Sequence, residues 1–168
     1  MSMKKYVALA AVAMLTLAGC ASPAAETAAG GDNKDMKICV YTHGDGGTFW
    51  SVFQKGAEAA AADLGVTLDY QGANNDAAKQ ASTIEAGVAA GCQGIATSVP
   101  DAEALQGPLD AAKAAGIPTV TTNSGSSAFV QLGAFTHVGQ DEVIAGEQAG
   151  LKFNAMGVKH VLCPIQEA

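Results

Sequence analysis

Nine consecutive residues hold the densest concentration of potential chemistry in the chain: Thr42-His43-Gly44-Asp45-Gly46-Gly47-Thr48-Phe49-Trp50. Three glycines suggest a loop whose backbone amides wrap a phosphate, but neither nucleotide pattern fits. Counted from Gly44, G-x-G-x-x-G needs its third glycine at position 49, which is Phe49. The P-loop spacing needs that same glycine, then lysine and a hydroxyl residue, where the chain reads Phe49-Trp50-Ser51. Asp45 would also repel an anion held there. What the stretch can do is non-covalent. An aromatic face can carry the C–H face of a sugar, and a carboxylate can accept from its hydroxyls. A cation held against Trp50 and Asp45 is the physical alternative.

Covalent chemistry finds less support. Ser124-Gly125-Ser126 lacks the G-x-S-x-G elbow of an activated serine. His43, His137 and His160 are scattered, and only His43 falls on a loop suited to catalysis, where a structural role is the simpler reading. No metal-ligand spacing is visible. The expectation is therefore a binding protein with no catalytic residue, metal or cofactor. A competing reading from another class is an exported α/β hydrolase using His43 and Asp45, which would need a nucleophile in a strand-to-helix turn. A binding module for a small cationic or nucleoside-like ligand feeding chemoreception would share every pocket feature.

The termini speak to location. Lys4-Lys5 precede an apolar run, Tyr6 to Ala18, too short to serve as a permanent span. It ends in Leu17-Ala18-Gly19-Cys20, which resembles the lipobox of bacterial lipoproteins. That pattern implies a signal peptide over 1–19 and a lipid anchor on the Cys20 thiol, in the periplasm or at the cell surface. Residues 20–35, rich in Ala, Gly and acidic residues without apolar periodicity, read as a flexible tether.

All 16 acidic residues lie beyond Cys20, against two of the nine basic ones before it, and every basic residue is lysine. The absence of arginine and the acidic balance exclude nucleic-acid binding and disfavour anionic ligands. Cys39, Cys92 and Cys163 match no zinc pattern. Cys39 and Cys163 sit in apolar, strand-like runs and read as small buried hydrophobes, while export also permits a Cys39–Cys92 disulfide.

From Lys37 onward short β-rich runs alternate with alanine-rich helical ones. Strands are expected at 38–41, 66–70, 94–99, 117–121, 135–138 and 160–163. The intervening helices start near Trp50, Asp76, Asp101 and Asp141. In the first helix Phe53, Ala57, Ala60, Ala61 and Leu64 share a face, with Gly65 as its stop. Strands joined through helices of this length imply a doubly wound parallel α/β sheet. Ligands of such sheets bind beyond the carboxyl ends of the strands. The loops meeting there carry Asp45, Asn74, Asn75, Asp101, Asn123, Ser124 and Asp141, with Thr48, Phe49 and Trp50 where the first loop enters its helix. Adjacent rings at a helix start diverge, so one can face the core and the other the crevice. A neutral polyhydroxy ligand suits this inventory.

The order and spacing of several segments resemble the periplasmic sugar-binding proteins of ABC transporters, of the ribose-binding type. They are Thr48-Phe49-Trp50 with Gly56, Leu64-Gly65-Val66, Val99-Pro100-Asp101, Ala114-Ala115-Gly116-Ile117-Pro118 and Val138-Gly139-Gln140-Asp141. The resemblance runs from Met36 to Ala168. It implies two α/β lobes that enclose a small neutral sugar or polyol, a membrane permease as partner, and a monomer. It matches Phe49 and Trp50 to the paired aromatic positions that sandwich the sugar. Asn123 falls where the family often has aspartate, Ser124 where arginine is frequent, and Val99 where asparagine is common. Gly139-Gln140-Asp141 would be the first hinge crossing. The division implied is an N-terminal ligand-binding lobe over 36–139, then the hinge and an incomplete second lobe over 140–168. The helix at Asp141 and the strand at His160 are accordingly expected to lack much of their packing, and ligand closure by this chain to be weak.

Overall fold

The computed structural model describes residues 33–164. The expected signal peptide, Cys20 and nearly all of the tether lie outside the described residues.

Five parallel strands form one sheet in the order β2-β1-β3-β4-β5. They are β1 (Lys37–Thr42), β2 (Thr67–Gly72), β3 (Gly94–Thr97), β4 (Thr119–Thr122) and β5 (Thr136–Val138). The helices are α1 (Gly47–Leu64), α2 (Ala77–Ala89), α3 (Ala102–Ala114) and α4 (Glu142–Ala155). The chain steps from β1 outward to β2, then back across β1 to β3. With right-handed crossovers that reversal puts α1 on one face and α2 and α3 on the other. The doubly wound class read from the sequence is the fold adopted.

Local chemistry sets the helix ends. Asp76, Asp101 and Asp141 sit in extended backbone and accept from the amides of Lys79 (2.9 Å), Ala104 (3.0 Å) and Ile144 (3.0 Å). Each so satisfies a donor that the first helical turn leaves orphaned. Gly65, with φ at 67°, closes α1 in the left-handed conformation that glycine reaches without strain. α1 has Gly46 as its N-cap with no side-chain bond, and it starts at Gly47 rather than near Trp50.

Alternation along β1 sends Cys39 and Tyr41 into the core formed with α2 and α3, against Ile84, Ile95, Leu105 and Leu109. The Tyr41 hydroxyl donates to Asp69 Oδ2 at 3.1 Å, and Lys37 Nζ lies 3.5 Å from the same oxygen. Burial, then the Asp69 charge beside it, raises the Tyr41 pKa well above the ordinary phenol range. Burial alone would raise Asp69, but hydrogen bonds from Gln71 and Tyr41 and the Lys37 ammonium outweigh it and hold that carboxyl below its usual range.

Three expectations need correction. Cys39 is not a free thiol: it is bonded to Cys92, with a Cα–Cα distance of 5.9 Å. The pairing that export permits is the one adopted, because parallel pairing of β1 with β3 brings the short segment leading into β3 beside β1. The strand expected at His160–Cys163 does not form; residues 158–164 run as irregular, exposed chain, and Cys163 is a free, exposed thiol. A lone apolar run that finds no neighbour leaves both sides of its ladder unmade. The face assigned to α1 is also displaced. Trp50 and Ala61 are buried, whereas Leu64 is 53% exposed. α1 packs against β2, an outer strand of the sheet. α4, by contrast, forms where expected and lacks packing as expected: it buries no residue and leaves Val143, Ile144, Leu151 and Phe153 exposed.

Candidate functional site

The carboxyl ends of β1, β3 and β4 converge where the direction of winding reverses, and backbone bonds lace their exits together. The Ser98 amide donates to Tyr41 O at 3.3 Å, Val99 N to Ser124 O at 3.0 Å, and Asn123 N to Val138 O at 3.0 Å. On the other side Ala73 N donates to Thr42 O at 2.8 Å and Asn75 N to His43 O at 2.6 Å. Asn75 and Asn123 hold left-handed backbone, with φ of 59° and 61°. Asparagine tolerates this conformation better than other side-chain-bearing residues, and it turns the chain sharply off each strand.

Four adjoining clefts of about 420–510 Å³ open along this edge and share residues, so they form one continuous crevice. His43, Asn75, Gln80, Pro100, Asp101 and Ser124 line its first part. His43, Gly46 to Trp50 and Asn123 line the next. Phe49, Phe53, Asn123 and Val138 to Gln140 form a more apolar stretch, and Asn123 to Ser127 continue to Asp141 and Val143. A space of this size accommodates a pentitol or hexose. No lysine lines any of the four, and Asp101 and Asp141 do, so the crevice is suited to neutral donors rather than anions.

Seven of the eight expected ligand-binding residues thus meet at one edge: Thr48, Phe49, Trp50, Asp101, Asn123, Ser124 and Asp141. Asp45 lines none of these clefts; it is exposed and packs over Gly72, where a β-carbon would collide with it. Asp101 and Asp141 each spend Oδ1 on a helix amide and keep Oδ2 as an acceptor. The Ser124 hydroxyl oxygen is buried and has no hydrogen-bond partner, a state that a ligand hydroxyl would relieve.

The two rings diverge. Phe49 is 57% exposed, whereas Trp50 is 8% exposed under the loop. Trp50 meets His43, Phe49 and Phe53 edge-to-face, with centroids 4.9, 4.9 and 5.7 Å away. Gly44 runs so close over the indole that a β-carbon there would overlap it.

Sequence reasoning missed Gln80 and Ser98. Gln80 is 1% exposed, and its Nε2 donates to Ser98 O at 2.7 Å and Thr97 Oγ1 at 3.0 Å. The signal was a polar residue one helical turn ahead of Ile84 on the apolar face of α2. Ser98 reaches His43 only through pairing of β1 with β3, which no local pattern reports. The Ser98–His43 contact of 2.8 Å has the distance of a nucleophile–base pair. Yet Ser98 is fully buried, and its Oγ accepts the backbone N–H of His43 itself at 2.8 Å. It cannot reach a substrate, and the hydrolase alternative gains no nucleophile from it.

Comparison with known proteins is consistent with this geometry. Residues 38–159 match a family model described as periplasmic binding protein domain. A xylitol-binding protein of Mycolicibacterium smegmatis is 30% identical over 144 residues, 86% of this chain and 40% of that protein. A carbohydrate transporter from Acidothermus cellulolyticus, solved with myo-inositol, is 42% identical with a TM-score of 0.75, covering 79% of this chain and 46% of that one. An ABC sugar transporter from Legionella pneumophila, a periplasmic sugar-binding protein, is 28% identical with a TM-score of 0.68, covering 72% and 45%. The chain spans less than half the length of each of these relatives.

Proposed function

This chain belongs to the periplasmic binding protein domain family, and from that premise we propose that it captures a small neutral sugar or polyol and presents it to an ABC-type permease, without performing chemistry. The crevice at the switch point of the sheet carries this reading, with an exposed aromatic wall on one side and mixed hydroxyl-matching groups on the other. Phe49 rests on the ligand's C–H face, with the edge of Trp50 beside it. Asp101 and Asp141 accept from hydroxyls, while Asn123, Ser124 and Thr48 donate and accept. Xylitol and myo-inositol, named for two of the relatives, have this chemistry. Export, a lipid anchor on Cys20 and a monomeric state complete the proposal. The lobe boundary near 139–140 and a hinge at Gly139 to Asp141 belong to it as well.

A thermal-shift and calorimetric panel of xylitol, myo-inositol, pentoses, hexoses and small cations tests the reading. The expected result is stabilisation by one or more polyols or sugars. Stabilisation by cations alone would sink it.

A further inference from the structure

We propose that Gln80 reads the ligand through Oε1, a fixed acceptor on the wall of the crevice that requires a free hydroxyl opposite it. The inference rests on the binding function above and adds to it a recognition residue and a preference. Both hydrogens of the Gln80 amide are committed, to Ser98 O at 2.7 Å and to Thr97 Oγ1 at 3.0 Å. The Ser98 carbonyl can only accept, so the amide nitrogen, and not the oxygen, faces it. The Thr97 hydroxyl gives its own hydrogen to Tyr41 O at 2.8 Å, which leaves Oγ1 a lone pair for Gln80. Carbonyls at both ends of this network fix its polarity, and Oε1 points away from it across the planar amide.

Among the described residues Oε1 has no hydrogen-bond partner of its own. The fully enclosed side-chain atoms without a partner are Ser124 Oγ and His137 Nε2, and Gln80 Oε1 is not one of them. Gln80 is 1% exposed, so the little surface it keeps includes this oxygen. It opens on the cleft that Gln80 lines together with Asn75, Ala77, Asp101 and Ser124. Ala77, one helical turn ahead on α2, adds only a methyl group to the wall beside it. An acceptor left unpaired at such a depth is costly, and the bonds to Ser98 and Thr97 prevent the amide from turning to find another donor. A ligand hydroxyl supplies the missing hydrogen. An ether, carbonyl or carboxylate oxygen in the same place would set lone pair against lone pair, so this point separates a free polyol from its deoxy, ether and acid relatives.

The test is a calorimetric cycle that pairs the unsubstituted chain and Gln80→Met with myo-inositol and its monodeoxy analogues. In the unsubstituted chain one analogue, lacking the hydroxyl that meets Oε1, should bind about tenfold more weakly than myo-inositol, one hydrogen bond to a desolvated partner. Gln80→Met should weaken myo-inositol by a similar factor and weaken that analogue no further. A merely structural role would instead lower the affinity for every analogue alike. Gln80→Met also removes two donors from the end of β3, so a second measurement uses the unsubstituted protein. In the isotope-labelled chain, NMR should show the Gln80 side-chain carbonyl carbon moving on addition of millimolar myo-inositol or xylitol, together with the amides of Phe49 and Asn123. Equal losses across the analogues, or a Gln80 carbonyl that stays still while Phe49 and Asn123 respond, overturns the inference and leaves the binding function standing. No response anywhere in the crevice to either polyol overturns both.

Discussion

Replacing Cys39 and Cys92 together by alanine is expected to lower the unfolding free energy by about 4 kcal/mol. The bond closes a sequence separation of 53 residues, spanning α1, β2 and α2, so it removes much of the freedom of the unfolded chain. In the loop-entropy picture a closure of that length falls between the values for short and hundred-residue loops. The native side adds to the loss. Both residues are buried, and Cys92 Sγ lies 3.5 Å from the Tyr41 hydroxyl, so the double variant also opens a small gap beside a buried phenol. The midpoint of thermal unfolding should fall by on the order of 10–20 °C, and reduction of the unsubstituted protein should reproduce most of the change. Equilibrium urea unfolding of oxidised, reduced and doubly substituted chains measures it. A difference below about 1 kcal/mol between oxidised and reduced forms would show that the unfolded state is already constrained there by other means.

The asymmetry between what could and could not be read in the sequence follows from range. Asp76, Asp101 and Asp141 act on amides three residues away, so capping chemistry announces α2, α3 and α4 directly. The alternation of strand and helix, and with it the crevice beyond the strand ends, is legible for the same reason. Pairing between distant segments is not. Ser98 meets His43, and Cys92 meets Cys39, only because β3 docks beside β1. The apolar run His160–Cys163 has strand composition but pairs with no strand among the described residues, and it stays irregular. The eight site residues show an intermediate case. Their loops were identified from order alone, but Asp45 turns out over Gly72 instead of along the clefts, a detail set by how the loop packs on β2. Gln80 escaped because a polar residue on a helix's apolar face looks like an interruption, when it is here the brace of the β3 exit.

Phe49→Ala and Trp50→Ala should fail in opposite ways, although the two rings are adjacent. Successive helical residues point about 100° apart, and docking of α1 against β2 turns Trp50 inward and Phe49 out. Truncating Trp50 removes a buried indole that packs against His43, Phe53 and the backbone of Gly44, at a cost of about 3–5 kcal/mol. Gly44→Ala should destabilise in the same direction by pressing a methyl group into that ring. Phe49, by contrast, is more than half exposed, and its removal should change the unfolding free energy by less than about 1 kcal/mol. Its effect should appear in binding, where loss of the stacking wall weakens the best polyol by about tenfold or more. Chemical denaturation and calorimetric titration of the three variants separate these outcomes. If Trp50→Ala keeps its stability and loses only the ligand, the indole belongs to the wall of the crevice, and the loop over it owes its glycines to the ligand instead of to the ring.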